Sequence, residues 1–214
     1  MTHHFLRGAA AAIALALPGT AMATPYTTLA TVADTYNVFL SGDFGTSASP
    51  YGADSIGPVA VGGNLYANSA SFDSGGTGPA ALIVGGNLAQ AGGTDKGNVF
   101  VGGTSATFSN GATITGALNM TAAHSTLTSG GASRPAGIYV TPTTTLAIPS
   151  YWNPVSTSGG PAVPLDLYGT ATDLANASTS LAALSATSVS SNGGNIVITL
   201  TQNGLNVIDL TVAD

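Results

Sequence analysis

Val61-Gly62-Gly63-Asn64-Leu65 returns as Val84-Gly85-Gly86-Asn87-Leu88 and, with one change, as Val101-Gly102-Gly103-Thr104. Each copy follows a short apolar run, and the first glycines of the three copies are 23 and then 17 residues apart. Steps of this size lie near the low end of the periods that indicate stacked solenoid coils. We interpret each copy as one rung, with a Gly-Gly corner that permits positive φ and an Asn that bonds nearby backbone. The repeat therefore predicts a mainly β protein, a parallel β-helix (β-solenoid).

Other elements extend this repeat toward both ends of the chain. Residues 112–120 resemble a decayed fourth copy, and residues 69–72 are interpreted as a second face of the coil. Leucines and alanines at helical spacing predict one helix over about 171–186, with Thr170 or Thr172 as N-cap, packed on or capping the solenoid. Asn203-Gly204 between alternating runs predicts a C-terminal β-hairpin of residues 195–201 and 205–212.

The first 23 residues have the pattern of a secretory signal peptide. Arg7 precedes an apolar run, Pro18-Gly19 breaks it, and Ala21-Met22-Ala23 supplies a small-residue cleavage site. The run is too short to span a membrane. We therefore expect residues 24–214 to form a single domain that is secreted and located outside the cell or at its surface, with no transmembrane segment after cleavage.

Composition excludes some partners of this exported chain. Removal of residues 1–23 leaves Lys96 and Arg134 against nine aspartates, a net charge of −7 (2 − 9), and there is no glutamate. Such a chain would repel phosphate backbones, so we expect no nucleic-acid partner. The hydrophobic fraction of 44% and the Val/Ile/Leu periodicity indicate a packed core. Because the chain has no cysteine, this core has no disulfides to support it.

Several of these motifs, taken in order, resemble the bacterial choice-of-anchor A domain family. They are Tyr36-Asn37-Val38-Phe39 with Gly42-Asp43-Phe44, the two Val-Gly-Gly-Asn copies, Pro164-Leu165-Asp166 before the helix, and Gly204-Leu205-Asn206-Val207. The resemblance covers residues 36–214. It implies a secreted β-helical domain regarded as an adhesin and held at the cell surface by a variable C-terminal signal. Where members usually carry an acidic-Gly-Arg element, this chain has Ile56-Gly57-Pro58.

The sequence has few of the residue patterns that indicate a catalytic site. His124 is the only histidine after residue 23, and Gly-x-Ser-x-Gly is absent. A carbohydrate-active β-helix enzyme, either a polysaccharide lyase or a hydrolase, would need two carboxyl groups at one bond. The candidates are Asp43, Asp54 and Asp73 on early loops, or Asp166 and Asp173 near the helix start. They form no repeating pair, and no calcium-binding repeat is present, so we expect no enzyme, no cofactor and no metal site.

Thr-x-Thr pairs raise a third possibility, ice binding. Two hydroxyls lie on one strand face in such a pair, and flat arrays of threonine are used by ice-binding solenoids. The pairs are Thr113/Thr115, Thr126/Thr128, Thr143/Thr145 and Thr199/Thr201. They do not recur at the Val-Gly-Gly period, which favours ordinary outward-facing strand threonine.

The function predicted from these observations is a non-catalytic adhesin that binds an external surface, matrix or glycan. Aromatic side chains in or beside loops are the candidate surface contacts, because they offer a large contact area with a polar tip. They are Tyr51, Tyr66, Tyr139, Tyr151 and Trp152. For Trp152, packing on the side of the solenoid is an equal alternative.

Overall fold

The computed structural model describes residues 30–182 except residue 77, together with residues 188–192 and 195–199. These residues fall into two compact units. One unit is Thr31–Thr172, and the other consists of Met1–Ala30 with Asp173–Asp214. The predicted signal peptide lies outside the described residues. No described helix is long and apolar enough to cross a membrane.

The unit Thr31–Thr172 is a parallel β-solenoid, as the repeat predicts. Sheet A contains, in spatial order, β1 (Val38–Leu40), β2 (Val59–Val61), β4 (Leu82–Val84), β7 (Val99–Val101), β10 (Ala117–Met120) and β12 (Gly137–Tyr139). Sheet B contains β3 (Leu65–Asn68), β5 (Leu88–Ala91), β8 (Ser105–Ser109), β11 (Thr126–Gly130) and β13 (Thr145–Ala147). A third, shorter side pairs β6 (Thr94–Asp95) with β9 (Thr113–Ile114).

The chain passes from a strand of sheet A through the glycine corner into a strand of sheet B and returns along the third side. The decayed fourth copy is confirmed, because Leu118, Asn119 and Met120 pair in register with Val99, Phe100 and Val101. The second face, however, begins at Leu65 directly after the corner, and residues 69–72 lie beyond its end. The prediction that residues 69–72 form that face was wrong, because the chain enters the strand of sheet B directly after the Gly-Gly corner.

The corner glycines were predicted to allow positive φ, but the structure shows that they allow close stacking of neighbouring rungs. Positive φ occurs at other glycines, and neither glycine of any Val-Gly-Gly copy has it. Instead the corners stack directly: the Gly86 amide donates to the Gly63 carbonyl at 2.8 Å, and a Cβ on Gly86 would lie 2.7 Å from that carbonyl oxygen. Glycine is needed here because neighbouring rungs approach too closely for any side chain.

The Asn after each of the first two Val-Gly-Gly corners joins consecutive rungs. Asn64 Oδ1 accepts from the Asn87 amide and Asn87 Oδ1 accepts from the Ser105 amide, each at 2.9 Å. Asp43 begins the series by accepting from the Asn64 amide at 2.7 Å. These bonds satisfy backbone donors at the bend, where the sheet ladder is interrupted.

The core lies between the inner faces of the sheets. Inward side chains of successive strands form columns, such as Val59, Leu82, Val99 and Leu118 in sheet A and Leu65, Leu88 and Leu127 in sheet B, and all of these are buried. Phe72, Phe108 and Trp152 are its largest aromatic members. The stacked apolar columns provide the burial that a cysteine-free chain requires.

The helix spans Leu167–Ala182 and begins before the predicted residue 171. Its first turn is capped by Asp166, whose Oδ1 accepts from the Gly169 amide at 3.0 Å. Thr170 and Thr172, predicted as caps, lie inside the helix, and Thr172 bonds back to the Tyr168 carbonyl. Residues 183–186 of the predicted helix lie outside the described residues.

The other unit contains an antiparallel hairpin of β14 (Ser188–Asn192) and β15 (Asn195–Thr199). The sequence places Asn195–Thr199 in a strand correctly, but its described partner precedes it in the chain. The predicted partner, residues 205–212 with the Asn203-Gly204 turn, lies outside the described residues. The 188–192 run was missed because serine alternating with a single valine gives a weak strand signal.

Candidate functional site: the outer face of sheet B

The two sheets of the solenoid differ in what lies on their outer surfaces. On sheet A the outward side chains of Ala60, Ile83 and Phe100 are buried in a second apolar cluster that includes Tyr36 and Leu167. Val32, from the helical residues 30–35, also belongs to this cluster. Burial also raises the pKa of the Tyr36 hydroxyl. The strands β2, β4 and β7 of sheet A are therefore covered on both faces, whereas the outward Asn119 and Tyr139 of β10 and β12 are half-buried.

Sheet B alternates between buried and partly exposed positions along each central strand. The pattern in β5 is buried, half-buried, buried, half-buried, and β3 follows a similar alternation. This is the pattern of a sheet with one face on the core and one toward solvent. Within residues 31–172, both apolar clusters lie elsewhere: one inside the coil and one over sheet A.

The outward side chains of sheet B are uncharged and, apart from Tyr66, small, and we call this surface the sheet B face. In strand order it consists of Tyr66, Asn68, Ala89, Ala91, Ser105, Thr107, Ser109, Thr126, Thr128, Gly130, Thr145 and Ala147. The nine aspartates, Lys96 and Arg134 all lie at other positions. A surface of this kind makes contact through shape and hydroxyl groups rather than through charge.

Hydroxyl groups on the sheet B face lie in two ranks that cross the strands. Ser105, Thr126 and Thr145 are in register in one rank, and Thr107 and Thr128 are in register in the next. Adjacent strands are about 4.8 Å apart, and alternate residues of one strand are about 6.6 Å apart. The ranks thus form a regular two-dimensional grid of polar groups separated by methyl groups and backbone.

The grid is held rigid from behind and at its edge. Leu127 and Phe108 fill the core beneath it and are at most 1% exposed. At the corner before β11, Ser125 Oγ and Thr144 Oγ1 are 2.8 Å apart and tie the last two rungs together. Fixed positions of this kind reduce the entropy that a binding surface loses when it meets a partner.

The five aromatic residues predicted as surface contacts do not form one surface. Tyr66 lies on the sheet B face, whereas Tyr139 lies on the outward column of sheet A. Tyr51 packs against Phe44 with ring centroids 4.2 Å apart and contacts the core. Tyr151 is 56% exposed, and its hydroxyl donates to the Ala132 carbonyl at 3.1 Å.

Trp152 is fully buried, which is the alternative that the sequence left open. Its indole nitrogen donates to the Ala132 carbonyl at 3.3 Å, and its ring lies 6.3 Å from Phe108. Arg134 holds this segment in place by donating to the carbonyls of Trp152 and Pro154. Tyr151 is therefore the exposed member of the predicted set, and Tyr66 is the half-buried member that lies on the sheet B face.

The candidate catalytic carboxylates hold loops in place. Asp43 accepts from the Asn64 amide, Asp54 from the Ser71 amide at 2.8 Å, and Asp73, fully buried, from the Gly78 amide at 3.1 Å. Asp166 is the helix cap described above. His124 is exposed with φ of 54°, and its backbone amide donates to Thr143 Oγ1. Within the described part of the chain, no three acidic, His or Cys side chains group as metal ligands would.

A shallow groove of about 320 Å³ runs along sheet A beside the helix start. Phe100, Gly102 and Thr121 form one wall, and Val163, Asp166 and Tyr168 form the other. The Asp166 carboxylate is already used as the helix cap, so this groove presents a mostly apolar lining.

Sequence reasoning found part of the sheet B face and missed its extent. Thr126/Thr128 and Thr145 were identified, but their partners Ser105 and Thr107 were not. The alternating pattern Ser105-x-Thr107-x-Ser109, directly after the third corner, is the signal that could have revealed them. The pair Thr113/Thr115 lies instead on the third side, and Thr199 lies in the hairpin.

Comparison with models of protein families gives a match that covers most of the chain. The family model described as a putative ice-binding-like adhesive domain matches residues 29–214. No curated protein and no solved structure gives a significant match to the chain.

Proposed function

Because the chain belongs to the ice-binding-like adhesive domain family, we propose that it is a non-catalytic adhesive module whose binding surface is the sheet B face. Its target is an ordered external surface, such as a solid matrix or an array of glycans.

The contrast between the two sheets supports this assignment. Sheet A is covered by Val32, Tyr36 and Leu167, whereas the sheet B face has a grid of hydroxyls and methyl groups over a rigid core. An uncharged surface with polar groups at regular spacing suits a partner that is itself repeating, because many weak contacts can then form together. Tyr66, at one end of the face, adds an aromatic contact of the kind that binding surfaces use.

Location outside the cell forms part of the proposal. Adhesive domains act on external surfaces, and the pattern of residues 1–23 is that of a secretory signal peptide. The resemblance to choice-of-anchor A domains supports the finer assignment of a cell-surface adhesin. Detection of the chain on intact cells with an antibody, and of a mature N-terminus near residue 24 by mass spectrometry, would test both points.

Retention on defined solids tests the binding surface. The probes are microcrystalline cellulose, chitin, hydroxyapatite and a printed glycan array that also reports released product. We expect the chain to be retained on at least one of them, and Thr128→Lys, which places a long charged chain at the centre of the face, to reduce retention at least tenfold. Thr107→Lys, one strand away, should act in the same direction.

Thr121→Lys provides the matched control, because Thr121 is exposed at the end of a sheet A strand. It should leave retention unchanged. Equal retention of Thr128→Lys and the unmodified chain would contradict the assignment of the sheet B face. Product release from the array would instead favour the carbohydrate-active enzyme.

Ice is the second candidate target, and the two hydroxyl ranks specifically favour it. Ser105, Thr126 and Thr145 repeat at the strand spacing, which is the regularity that a crystal face requires. Slower recrystallisation of ice in the presence of the chain, lost in Thr128→Lys and kept in Thr121→Lys, would support ice as the target. Unchanged recrystallisation would leave the solid matrix or glycan array as the proposed partner.

A further inference from the structure

The third side of the solenoid buries a carboxyl group inside the coil. Asp95 in β6 is fully buried, with Ile114 next to it in the register of β9. On the other side, the backbone amide of Lys96 donates to the Phe72 carbonyl at 3.1 Å, which places the 70–74 segment against β6. Asp95 is therefore surrounded by the apolar core.

Gln90 in β5, five residues before Asp95 in the chain, meets this carboxyl inside the coil. Its Nε2 donates to Asp95 Oδ1 at 3.0 Å, and Gln90 is 1% exposed. The second oxygen of each group, Gln90 Oε1 and Asp95 Oδ2, is buried without a hydrogen-bond partner. Two unpaired acceptors in one buried pair are costly, because each has lost its bonds to water.

No positive charge offsets an ionised Asp95 from the elements packed against it. No ionisable side chain is present in the two neighbouring strands, Leu88–Ala91 and Thr113–Ile114. The 70–74 segment contributes only Asp73, which is buried and accepts from the Gly78 amide. Lys96, the next residue in the chain, is exposed, and its Nζ donates to the Ser74 carbonyl at 2.7 Å.

One proton on Asp95 would supply the donor that this pair lacks. We propose that Asp95 is a neutral carboxylic acid in the folded solenoid, with Oδ2–H donating to Gln90 Oε1, and that this proton clamps the third side to sheet B. The acid and the amide would then form a reciprocal pair, with one bond in each direction. The clamp makes the stability of the solenoid depend on pH, and it is independent of the proposed adhesive role.

The direction of the pKa agrees with this arrangement. Burial raises the pKa of Asp95 to about 7, although the hydrogen bonds from Gln90 and from the backbone of Phe72 act to lower it. The folded pKa thus lies above the ordinary value of 3.8. The stabilisation is complete below pH 3.8 and is lost as the pH rises through about 7, because the unfolded chain releases its proton first.

Asp95→Asn tests the clamp because the Asn amide carries the required donor at every pH. Urea unfolding of the full chain gives the equilibrium constant for unfolding of the unmodified protein and of Asp95→Asn. The ratio of the first constant to the second should rise about tenfold per pH unit between about pH 4 and 7. The total rise is roughly three powers of ten, followed by a plateau. A ratio that stays constant within twofold from pH 4 to 8 would overturn the proposal.

A control and a direct titration complete the design. Ser129→Ala removes another buried oxygen that lacks a partner, but no titrating group, so its ratio to the unmodified protein should not change with pH. In the unmodified protein, the ¹³C resonance of the Asp95 carboxyl should titrate near pH 7. Titration near pH 4 would show an ionised Asp95 and refute the neutral acid, whatever the variants do.

Discussion

Replacing Gly86 by alanine places one methyl group between two rungs that have no room for it. The Gly86 amide donates to the Gly63 carbonyl at 2.8 Å, and the Gly103 amide donates to the Gly86 carbonyl at 2.9 Å. A Cβ on Gly86 would lie 2.7 Å from both the carbonyl carbon and oxygen of Gly63, and 2.8 Å from Asn64 Oδ1. Real Cβ atoms do not approach backbone this closely, so the rungs must separate at this corner.

The expected cost follows from the kind of contact. Overpacking a close-packed site costs about 1–3 kcal/mol, and backbone can yield less than a flexible side chain. Alanine recovers about 0.4–1 kcal/mol by restricting the unfolded chain. We therefore expect a net loss of about 1–2 kcal/mol. A loss of this size lowers the unfolding midpoint by roughly 2–8 °C in a domain of this size.

Thermal and urea unfolding, followed by far-UV circular dichroism, measure this loss. Gly130→Ala is the matched control, since a Cβ at Gly130 meets nothing within 4 Å and its φ is not in the left-handed region. The control should change the stability by less than about 1 kcal/mol, in either direction. If Gly86→Ala and Gly130→Ala unfold at the same midpoint, the close approach of rungs is not the reason for glycine at the corner.

Two further substitutions probe the core and the Asn series. Trp152→Ala should cost about 3–5 kcal/mol, because the indole is fully buried beside Phe108. In the unmodified chain, the fluorescence emission of this one tryptophan should shift to the red on unfolding. Red emission from the folded protein would contradict its burial. Asn87→Ala should cost about 1–2 kcal/mol in urea unfolding, because the Ser105 amide loses its acceptor. Asn68→Ala is the control at an exposed position and should change stability by less than about 0.5 kcal/mol. An equal effect of the two Asn substitutions would refute a stabilising role for the bond between Asn87 and the Ser105 amide.

The sequence predicts the central strands β2, β4 and β7 of sheet A well, because a Val-Gly-Gly signal follows each of them. It also assigns Asn to the bend. The reason for each glycine is not visible in one rung, however, since Gly86 is constrained by Gly63 in the rung before it. Only the stacked structure shows that spacing between rungs, rather than φ, requires glycine there.

The sheet B face was harder to predict because it depends on register between strands. Thr126 and Thr145 fall in one rank only when the lengths of the intervening loops are known. Asp95 was missed for a different reason. An aspartate beside Thr94 and Lys96 reads as a turn residue, and the buried partner Gln90 lies on another strand.

Turns of unequal length support sheets of constant register in this solenoid. Successive rungs of sheet A are offset by 21, 23, 17, 19 and 20 residues, as the pairs that run from Val38↔Val59 to Leu118↔Ile138 show. The additional length of the second rung lies outside both sheets, and the described residues 73–76 and 78–79 of that stretch belong to no strand.

We therefore expect insertions at the exposed Gly75-Gly76 of that bend to preserve the register of the inward columns and of the hydroxyl ranks. Because the entropy of a closed loop grows slowly with its length, a foreign peptide grafted there adds little cost. The same bend is a suitable position for displaying an epitope or an affinity tag.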